Sequence, residues 1–202
     1  SRAAWIASLV SCGYVVLRLY REKIKSFVLR HRYALLGVLI VGTLFATGMY
    51  FIKRDSVDGR LLIWKITTQA IADSPWGVEG GKTFSAFYGD VQERYFTDCK
   101  YSDSEAWVAG TPDFAFNEYL QIAVEYGVWG SVLFVTVLLM LLKIAGNCKH
   151  LAGMGGCLVS LMVFACFSYP IHIPAIVSIW SLVVIVLCGE GLVMMKYRLI
   201  PK

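Results

Sequence analysis

Near the start of its one long polar passage, the chain reads Asp58-Gly59-Arg60-Leu61-Leu62-Ile63-Trp64-Lys65. This passage covers residues 53–117, and long apolar runs lie on both sides of it. With 57% hydrophobic residues, 16% charged residues and a mean hydropathy of +0.62, the 202-residue chain is too apolar for an ordinary soluble domain. The pattern therefore predicts a membrane protein whose spans flank one large polar loop.

Five apolar runs are long enough to predict membrane-spanning helices. They cover residues 3–19, 33–52, 119–142, 151–169 and 175–195. We therefore expect an all-α, polytopic protein: two spans joined by a basic cytoplasmic loop in residues 1–52, the polar loop in 53–117, and three spans in 118–202. Because the chain begins at Ser1 rather than at Met, we also expect it to be the later part of a longer protein.

The distribution of charge predicts which side of the membrane each loop faces. Together with Arg18 at the end of the first span, the segments after the first, third and fifth spans carry eleven Lys and Arg residues and one acid. The polar passage, counted through Glu118, carries seven bases and eleven acids. Since Lys and Arg are retained on the cytoplasmic side, we expect the polar loop and the turn at Pro170–Pro174 to face outward. The net charge of +5 thus reflects topology and gives little support to nucleic-acid binding.

Within the polar loop, the sequence predicts an amphipathic helix that begins at an Asp58 cap, runs to about Ala72 and is ended by Pro75. Arg60 would then lie in the first turn, where the helix dipole disfavours a cation, so another demand is expected to place it there. Its guanidinium can hold two phosphate oxygens at once, and the free N–H groups of the helix start favour the same anion. Taken alone, Arg60 fits either a solvated surface charge or an anion site. Arg2, at the outer end of the first span, leaves the same two interpretations open.

Two glutamates mark the start of the third span. Glu118 and Glu125 are seven residues apart, so they lie on one helix face with Gln121 between them. An ionisable side chain in a span usually faces a cavity or a partner. Two interpretations stay open, namely pairing with an arginine such as Arg60 or a direct catalytic role. His172, between two prolines, fits either a base or an ordinary hydrogen-bonded histidine.

Four short motifs follow one another along the chain. They are Ser1-Arg2-Ala3-Ala4-Trp5, Asp58-Gly59-Arg60-Leu61-Leu62-Ile63-Trp64, Ser74-Pro75-Trp76-Gly77-Val78-Glu79-Gly80 and Asn117-Glu118-Tyr119-Leu120-Gln121-Ile122-Ala123-Val124-Glu125-Tyr126-Gly127-Val128-Trp129-Gly130. No single motif is specific. In this order and with this topology, they resemble the successive signatures of the O-antigen ligase and polymerase superfamily. The resemblance covers nearly the whole chain, which would be the C-terminal half of such a protein.

The resemblance implies a membrane-embedded glycosyltransferase of the GT-C kind that uses no cofactor and no metal. Such an enzyme would move a glycan from an undecaprenyl-pyrophosphate carrier to an acceptor glycan or to lipid A core, at the periplasmic face of the bacterial inner membrane. Arg2 and Arg60 match the positions of family arginines that bind the pyrophosphate. Asn117, in the third-span motif, is expected to contribute to the same binding site.

Phe116 departs from the family pattern, because ligases of this group usually carry a histidine beside the motif asparagine. A phenyl ring takes no proton, so the catalytic candidates are Arg60, Glu118, Glu125 and His172. The phenylalanine in place of this histidine favours a polymerase-like or unassigned member of the superfamily over a lipid A-core ligase. Two other classes stay open: a transporter or flippase of lipid-linked saccharide, which would need more polar and broken spans, and an inactive membrane scaffold.

Overall fold

The computed structural model describes residues 2–31, 33, 37, 54–77, 84–98 and 101–199, and this described part of the chain is helical. Seven α-helices lie within it. They are α1 (Arg2–Arg30), α2 (Arg54–Asp73), α3 (Phe84–Asp98), α4 (Asp103–Val108), α5 (Glu118–Asn147), α6 (Ala152–Ala165) and α7 (Pro174–Leu199). Two short 3-10 turns, Lys149–Leu151 and Pro170–His172, precede α6 and α7.

Among the described residues, three helical segments are long and apolar enough to cross a membrane: Arg2–Phe27, Glu118–Asn147 and Pro174–Met194. The predicted second span, residues 33–52, falls almost entirely outside the described residues. The helix predicted at residues 151–169 is present as α6, with only 14 residues. At about 1.5 Å per residue such a helix is about 21 Å long, shorter than the roughly 30 Å hydrocarbon core of a bilayer.

Helix α1 extends well beyond the end predicted from hydrophobicity. It continues past Leu19 to Arg30, with non-helical backbone angles inside it only at Tyr20 (φ −122°, ψ 26°). Arg21, Lys23, Lys25 and Arg30 therefore lie on a kinked helix, and the cytoplasmic position of this basic segment stays a prediction. Arg and Lys are good helix formers, so a change from apolar to basic sequence does not end a helix.

The first helix is fixed to the C-terminal part of the chain by close packing of α1 on α6. Ser11 Oγ donates a hydrogen bond to the carbonyl of Gly156 at 2.7 Å. A Cβ atom added at Gly156 would lie 2.5 Å from Val15 Cγ2, and one at Gly155 would lie 2.7 Å from the Tyr14 hydroxyl. Small residues that let two backbones approach in this way are typical of helix pairs in membranes.

The polar passage has a hydrophobic core of its own. Its fully buried members come mainly from α2 and α3: Leu62, Ile66, Ala70, Phe84, Tyr88, Val91 and Tyr95. Ala115 and Val124 join this core and so connect the passage to α5. On the outer side, Lys65 Nζ of α2 donates to Glu105 Oε1 of α4 at 2.6 Å. The loop predicted from polarity is therefore a small helical layer packed on the start of α5.

Helix α5 is not one straight span, because it breaks at Gly127 (φ 77°, ψ 171°). Ser131 Oγ donates to the carbonyl of Tyr119 at 3.1 Å. Twelve residues of continuous helix would hold these groups about 18 Å apart, so residues 118–126 fold back along the start of the following segment. The apolar segment predicted from Tyr119 to Leu142 is therefore present, but it is not one continuous helix. The 20 residues after the break would cover about 30 Å by themselves.

The break is occupied by the turn that follows α2. Gly77 also has a positive φ, of 98°. The N–H of Val128 donates to the carbonyl of Pro75 at 2.9 Å. A Cβ atom on Gly127 would lie 2.7 Å from the carbonyl carbon of Trp76, so the two backbones touch. Two of the sequence motifs thus meet at a junction that only glycine permits.

Candidate functional site

The position of Arg60 on its helix differs from the prediction. Helix α2 begins at Arg54 rather than after Asp58, so Arg60 lies in the second turn, where the free N–H groups of the helix start do not reach it. The helix dipole therefore does not explain the position of Arg60, and the predicted place in the first turn is wrong. The predicted end of the helix is confirmed, because α2 stops at Asp73 and a turn at Pro75 follows.

Arg60 and Arg2 nevertheless line one cavity. This cavity has a volume of about 760 Å³ and opens between the start of α1, the start of α2 and the segment after α6. Apart from the arginines and Ser56, its wall is apolar, formed by Ala3, Ile6, Val57, Leu61, Trp64 and Phe167. Among the side chains that the structure describes, no carboxylate forms a salt bridge with either guanidinium. The cavity therefore combines two arginines that no described carboxylate pairs with and a mostly apolar wall.

Arg60 is held against the end of α6 and the loop before α5. Its Nη1 donates to the carbonyl of Phe167 at 3.1 Å, and its guanidinium carbon lies 5.1 Å from the centre of the Phe116 ring. Phe116 has a φ of 52°, a left-handed conformation that is rare for a bulky residue. A strained backbone thus presents an aromatic face to the cation.

A second cluster joins α5 to the turn before α7. His172 Nδ1 lies 3.1 Å from Glu118 Oε1, and His172 Nε2 lies 3.9 Å from Glu125 Oε1. Glu118 is fully buried, and its Oε2 accepts a hydrogen bond from the N–H of Ile171 at 3.3 Å. The contact between Nδ1 and Oε1 is close but not aligned as a hydrogen bond. The two glutamates predicted on one face therefore flank the histidine predicted as a base.

Gln121 fixes the orientation of this cluster. Its Oε1 accepts a hydrogen bond from the N–H of Ala115 at 2.8 Å, and its Nε2 donates to Glu125 Oε1 at 2.5 Å. Because a backbone N–H only donates, the orientation of the amide group follows from the first bond. The glutamates thus interact with His172 and Gln121. The alternative in which they pair with Arg60 or Arg2 is not realised among the described residues.

A row of aromatic rings connects the cavity to the cluster. From Phe116 under Arg60, the row passes through Tyr169 and Phe114 to His172. Successive centres lie between 4.3 and 5.6 Å apart. Tyr169 and Phe114 were not predicted as site residues. Their only signal in the sequence is an aromatic residue before Pro170 and another before the Asn117 motif.

Asn117 has a local role that the motif alone did not indicate. It is the N-cap of α5, and its Oδ1 accepts hydrogen bonds from the N–H groups of Tyr119 and Leu120 at 3.1 and 3.2 Å. This cap fixes where the helix with both glutamates begins. Binding of a pyrophosphate by Asn117 stays a prediction.

A family model described as O-antigen ligase matches residues 1–135. The chain belongs to the O-antigen ligase family. The matched region contains both arginines of the cavity and both glutamates of the cluster, but not His172. Comparisons with curated proteins and with solved structures gave no match.

Membership of the O-antigen ligase family and the three long apolar helices together make this a membrane protein of ligase or polymerase type. As for metal sites, the described residues contain no group of three or more His, Cys, Asp or Glu side chains arranged to hold an ion. Among the described residues of this family member, the candidate groups for chemistry are the two arginines of the cavity and the Glu118, Glu125 and His172 side chains.

Proposed function

We propose that this protein transfers a glycan from a lipid-linked diphosphate, of the undecaprenyl-pyrophosphate kind, to an acceptor glycan or lipid at the periplasmic face of the bacterial inner membrane. The observation that supports it most directly is the shared cavity of Arg2 and Arg60, whose charges no described carboxylate neutralises. Membership of the O-antigen ligase family supports the same reaction type.

The composition of the cavity suits an amphiphilic diphosphate. A guanidinium group presents a planar set of donors that binds two phosphate oxygens at once. The apolar wall, which includes Ile6, Leu61 and Trp64, can pack against the first units of a prenyl chain. Because an apolar wall lowers the local dielectric constant, each arginine interacts more strongly with the diphosphate than it would in bulk water.

The reaction follows from these groups. The acceptor oxygen forms a bond to the anomeric carbon of the donor sugar, and the bond between that carbon and the phosphate oxygen breaks. The hydroxyl proton passes to a base, and the lipid diphosphate leaves with the electron pair of the broken bond. Negative charge grows on the leaving diphosphate in the transition state, and Arg2 and Arg60 stabilise that charge. The role of the arginines is thus to hold the donor and to lower the barrier to its departure.

Arg60→Ala tests this proposal. Removing one preorganised donor for developing charge typically costs a factor of about 10²–10³ in rate, so glycan product in a complemented null strain should fall to near the background. Arg60→Lys should retain only part of the activity, because it keeps the charge but loses the bidentate geometry. Arg94→Ala is the matched control, since Arg94 lies on α3 and its Nε donates to Asp90 of the same helix. Normal product from inserted Arg60→Ala protein would refute the proposal.

One observation favours the transporter alternative, namely the break of α5 at Gly127, because broken helices frame the substrate sites of many transporters. Purified full-length protein in liposomes that contain lipid-linked oligosaccharide separates the two functions. A glycosyltransferase lengthens or relocates the glycan on an added acceptor. A transporter moves the unaltered donor across the bilayer.

A further inference from the structure

We infer that His172 is the general base of the transfer, that its Nε2 takes the proton of the acceptor hydroxyl, and that Glu118 is the positioning residue at Nδ1. This inference rests on the proposed function and deepens it, because it assigns the proton acceptor that Phe116 cannot provide. His172 lies outside the region matched by the family model, so the assignment comes from the geometry of this chain.

The surroundings of the ring assign different tasks to its two nitrogens. On one side, Glu118 Oε1 is fully buried, has no aligned hydrogen bond in the structure and lies 3.1 Å from Nδ1. A buried carboxylate oxygen requires a donor, and the nearest donor is the N–H at Nδ1. With the hydrogen on Nδ1, Nε2 carries the lone pair. The contact needs only a small rotation of the ring to align, and catalytic hydrogen bonds are often loose before substrate binds.

The other side of the ring faces Glu125 at a longer distance. Glu125 Oε1 lies 3.9 Å from Nε2, which is too far for a direct hydrogen bond, and it already accepts one from Gln121. His172 and Glu125 keep 29% and 27% of their side-chain surface exposed, whereas Glu118 keeps none. Because His172 is partly exposed and Glu118 is not, an acceptor hydroxyl from outside approaches the ring on the side away from Glu118, where Nε2 lies. A buried carboxylate behind an accessible imidazole is the arrangement that orients histidine bases in many enzymes.

The cluster also lies close to the cavity proposed for the donor. Arg60 contacts the carbonyl of Phe167, five residues before His172 in the same connection between α6 and α7. The aromatic row of Phe116, Tyr169 and Phe114 joins the two sites. The anomeric carbon of the donor is bonded to the diphosphate near Arg60, so in the transfer it and the acceptor oxygen at His172 meet between the two ends of this row.

The proton of the acceptor hydroxyl passes first to His172 and then to water. As the acceptor oxygen bonds to the anomeric carbon, its proton moves to His172 Nε2 and the imidazole becomes a cation. Glu118 and Glu125 stabilise that cation from either side. When the diphosphate product leaves, Nε2 releases the proton to water, and the ring returns to its starting state. No oxidant, reductant or further reactant takes part.

The test uses purified full-length protein, a lipid-linked oligosaccharide as donor, and the variants His172→Gln, Arg60→Ala and His150→Gln. General bases contribute about 10²–10⁴ in rate, so His172→Gln should lower kcat at least about a hundredfold with little change in donor KM. Arg60→Ala should weaken donor binding as well. His150→Gln, an exposed histidine beside Glu190, should behave like the wild type.

Glu118→Gln tests the positioning role. It should lower kcat, leave donor KM unchanged and reduce the population of the Nδ1–H tautomer of His172, read by ¹⁵N NMR of ring-labelled protein. The three histidines of this chain can be assigned by single substitutions. An Nε2–H tautomer in the wild type would overturn the role assigned to Glu118.

The outcomes separate the two proposals. If His172→Gln keeps kcat within about threefold of the wild type while Arg60→Ala is inactive, the base assignment fails and the proposed function stands. If the wild type itself transfers no glycan, the proposed function fails, and if neither variant loses activity, the roles assigned to His172 and Arg60 both fail. A loss in His172→Gln that only follows the amount of folded protein, with kcat per folded molecule unchanged, would also overturn the assignment, because it would show a structural ion pair.

Discussion

Gly127→Ala should destabilise the protein more than its small size suggests. Gly127 has φ 77° and ψ 171°, a combination that is essentially restricted to glycine and costs other residues about 1–3 kcal/mol. The added Cβ would lie 2.7 Å from the carbonyl carbon and oxygen of Trp76 and 3.0 Å from the oxygen of Pro75. These are backbone atoms that cannot rotate away. Relief of the clash must therefore separate the two chain segments and lose the hydrogen bond between Val128 and Pro75.

The two contributions give the expected magnitude. Strain of about 1–3 kcal/mol and a lost hydrogen bond of about 0.5–1.5 kcal/mol sum to roughly 2–4 kcal/mol in the free energy of unfolding. For a chain of this size each kcal/mol shifts Tm by about 2–4 °C, so the melting temperature should fall by roughly 5–15 °C. The full-length protein in detergent provides the assay, with tryptophan fluorescence as the signal.

Gly189→Ala is the matched control for this prediction. A Cβ atom at Gly189, inside α7, meets no other atom within 4 Å. Alanine forms helix better than glycine, so this variant should be neutral or up to about 1 kcal/mol more stable. A Gly127→Ala protein that melts within about 2 °C of the wild type would refute the reasoning, because it would show that the junction adapts without cost.

Two further predictions concern the polar passage. A hydrogen bond from Lys65, with help from Ser102, lowers the pKa of Glu105 from 4.5 to about 2. Its contribution to stability is therefore present above pH 4.5 and lost as the pH falls toward 2, so the difference in Tm between the wild type and Glu105→Gln should close over that range. In a cysteine-free background, a thiol reagent that does not cross the inner membrane should label Trp107→Cys, whose native side chain is 83% exposed, and not Lys149→Cys. The reverse labelling pattern would contradict the proposed sidedness.

Proline and capping residues predicted the end of α2 correctly and its start less well, whereas the pattern of apolar residues did not predict α3. Pro75 ended α2 as expected, but the Asp58 cap signal placed its start too late, because helical sequence continues upstream to Arg54. Helix α3 was not predicted, although its buried residues Phe84, Tyr88, Val91 and Tyr95 recur at helical spacing. The reason is that Phe87 and Phe96 also pack against this core and widen the apolar face, which obscures the period.

In helix α5, hydropathy alone did not predict the position of the break. Apolar composition continues through Gly127, so hydrophobicity predicted one long span where the chain folds back. A positive φ at a single glycine leaves no mark on a hydropathy pattern. The position of the break depends on the Pro75–Gly77 turn, which lies some fifty residues earlier in the chain.

The sequence predicted which residues belong to the candidate site better than it predicted how these residues are arranged. Helical spacing placed Glu118, Gln121 and Glu125 on one face, and the structure confirms it. The contact of both glutamates with His172 crosses about fifty residues and depends on how α6 and α7 return to α5, which spacing does not reveal. The shared cavity of Arg2 and Arg60 likewise appears only in three dimensions.

The packing of α1 on α6 constrains the design of chimaeras between members of this family. Gly155 and Gly156 accept Tyr14 and Val15 with no room for a side chain, yet these glycines lie beyond residue 135, where the family match ends. A chimaera joined at that boundary would pair a first helix from one parent with an incompatible groove from the other and displace Arg2. To transfer donor preference from one family member to another, α1 and α6 should therefore be exchanged together, although they lie far apart in the sequence.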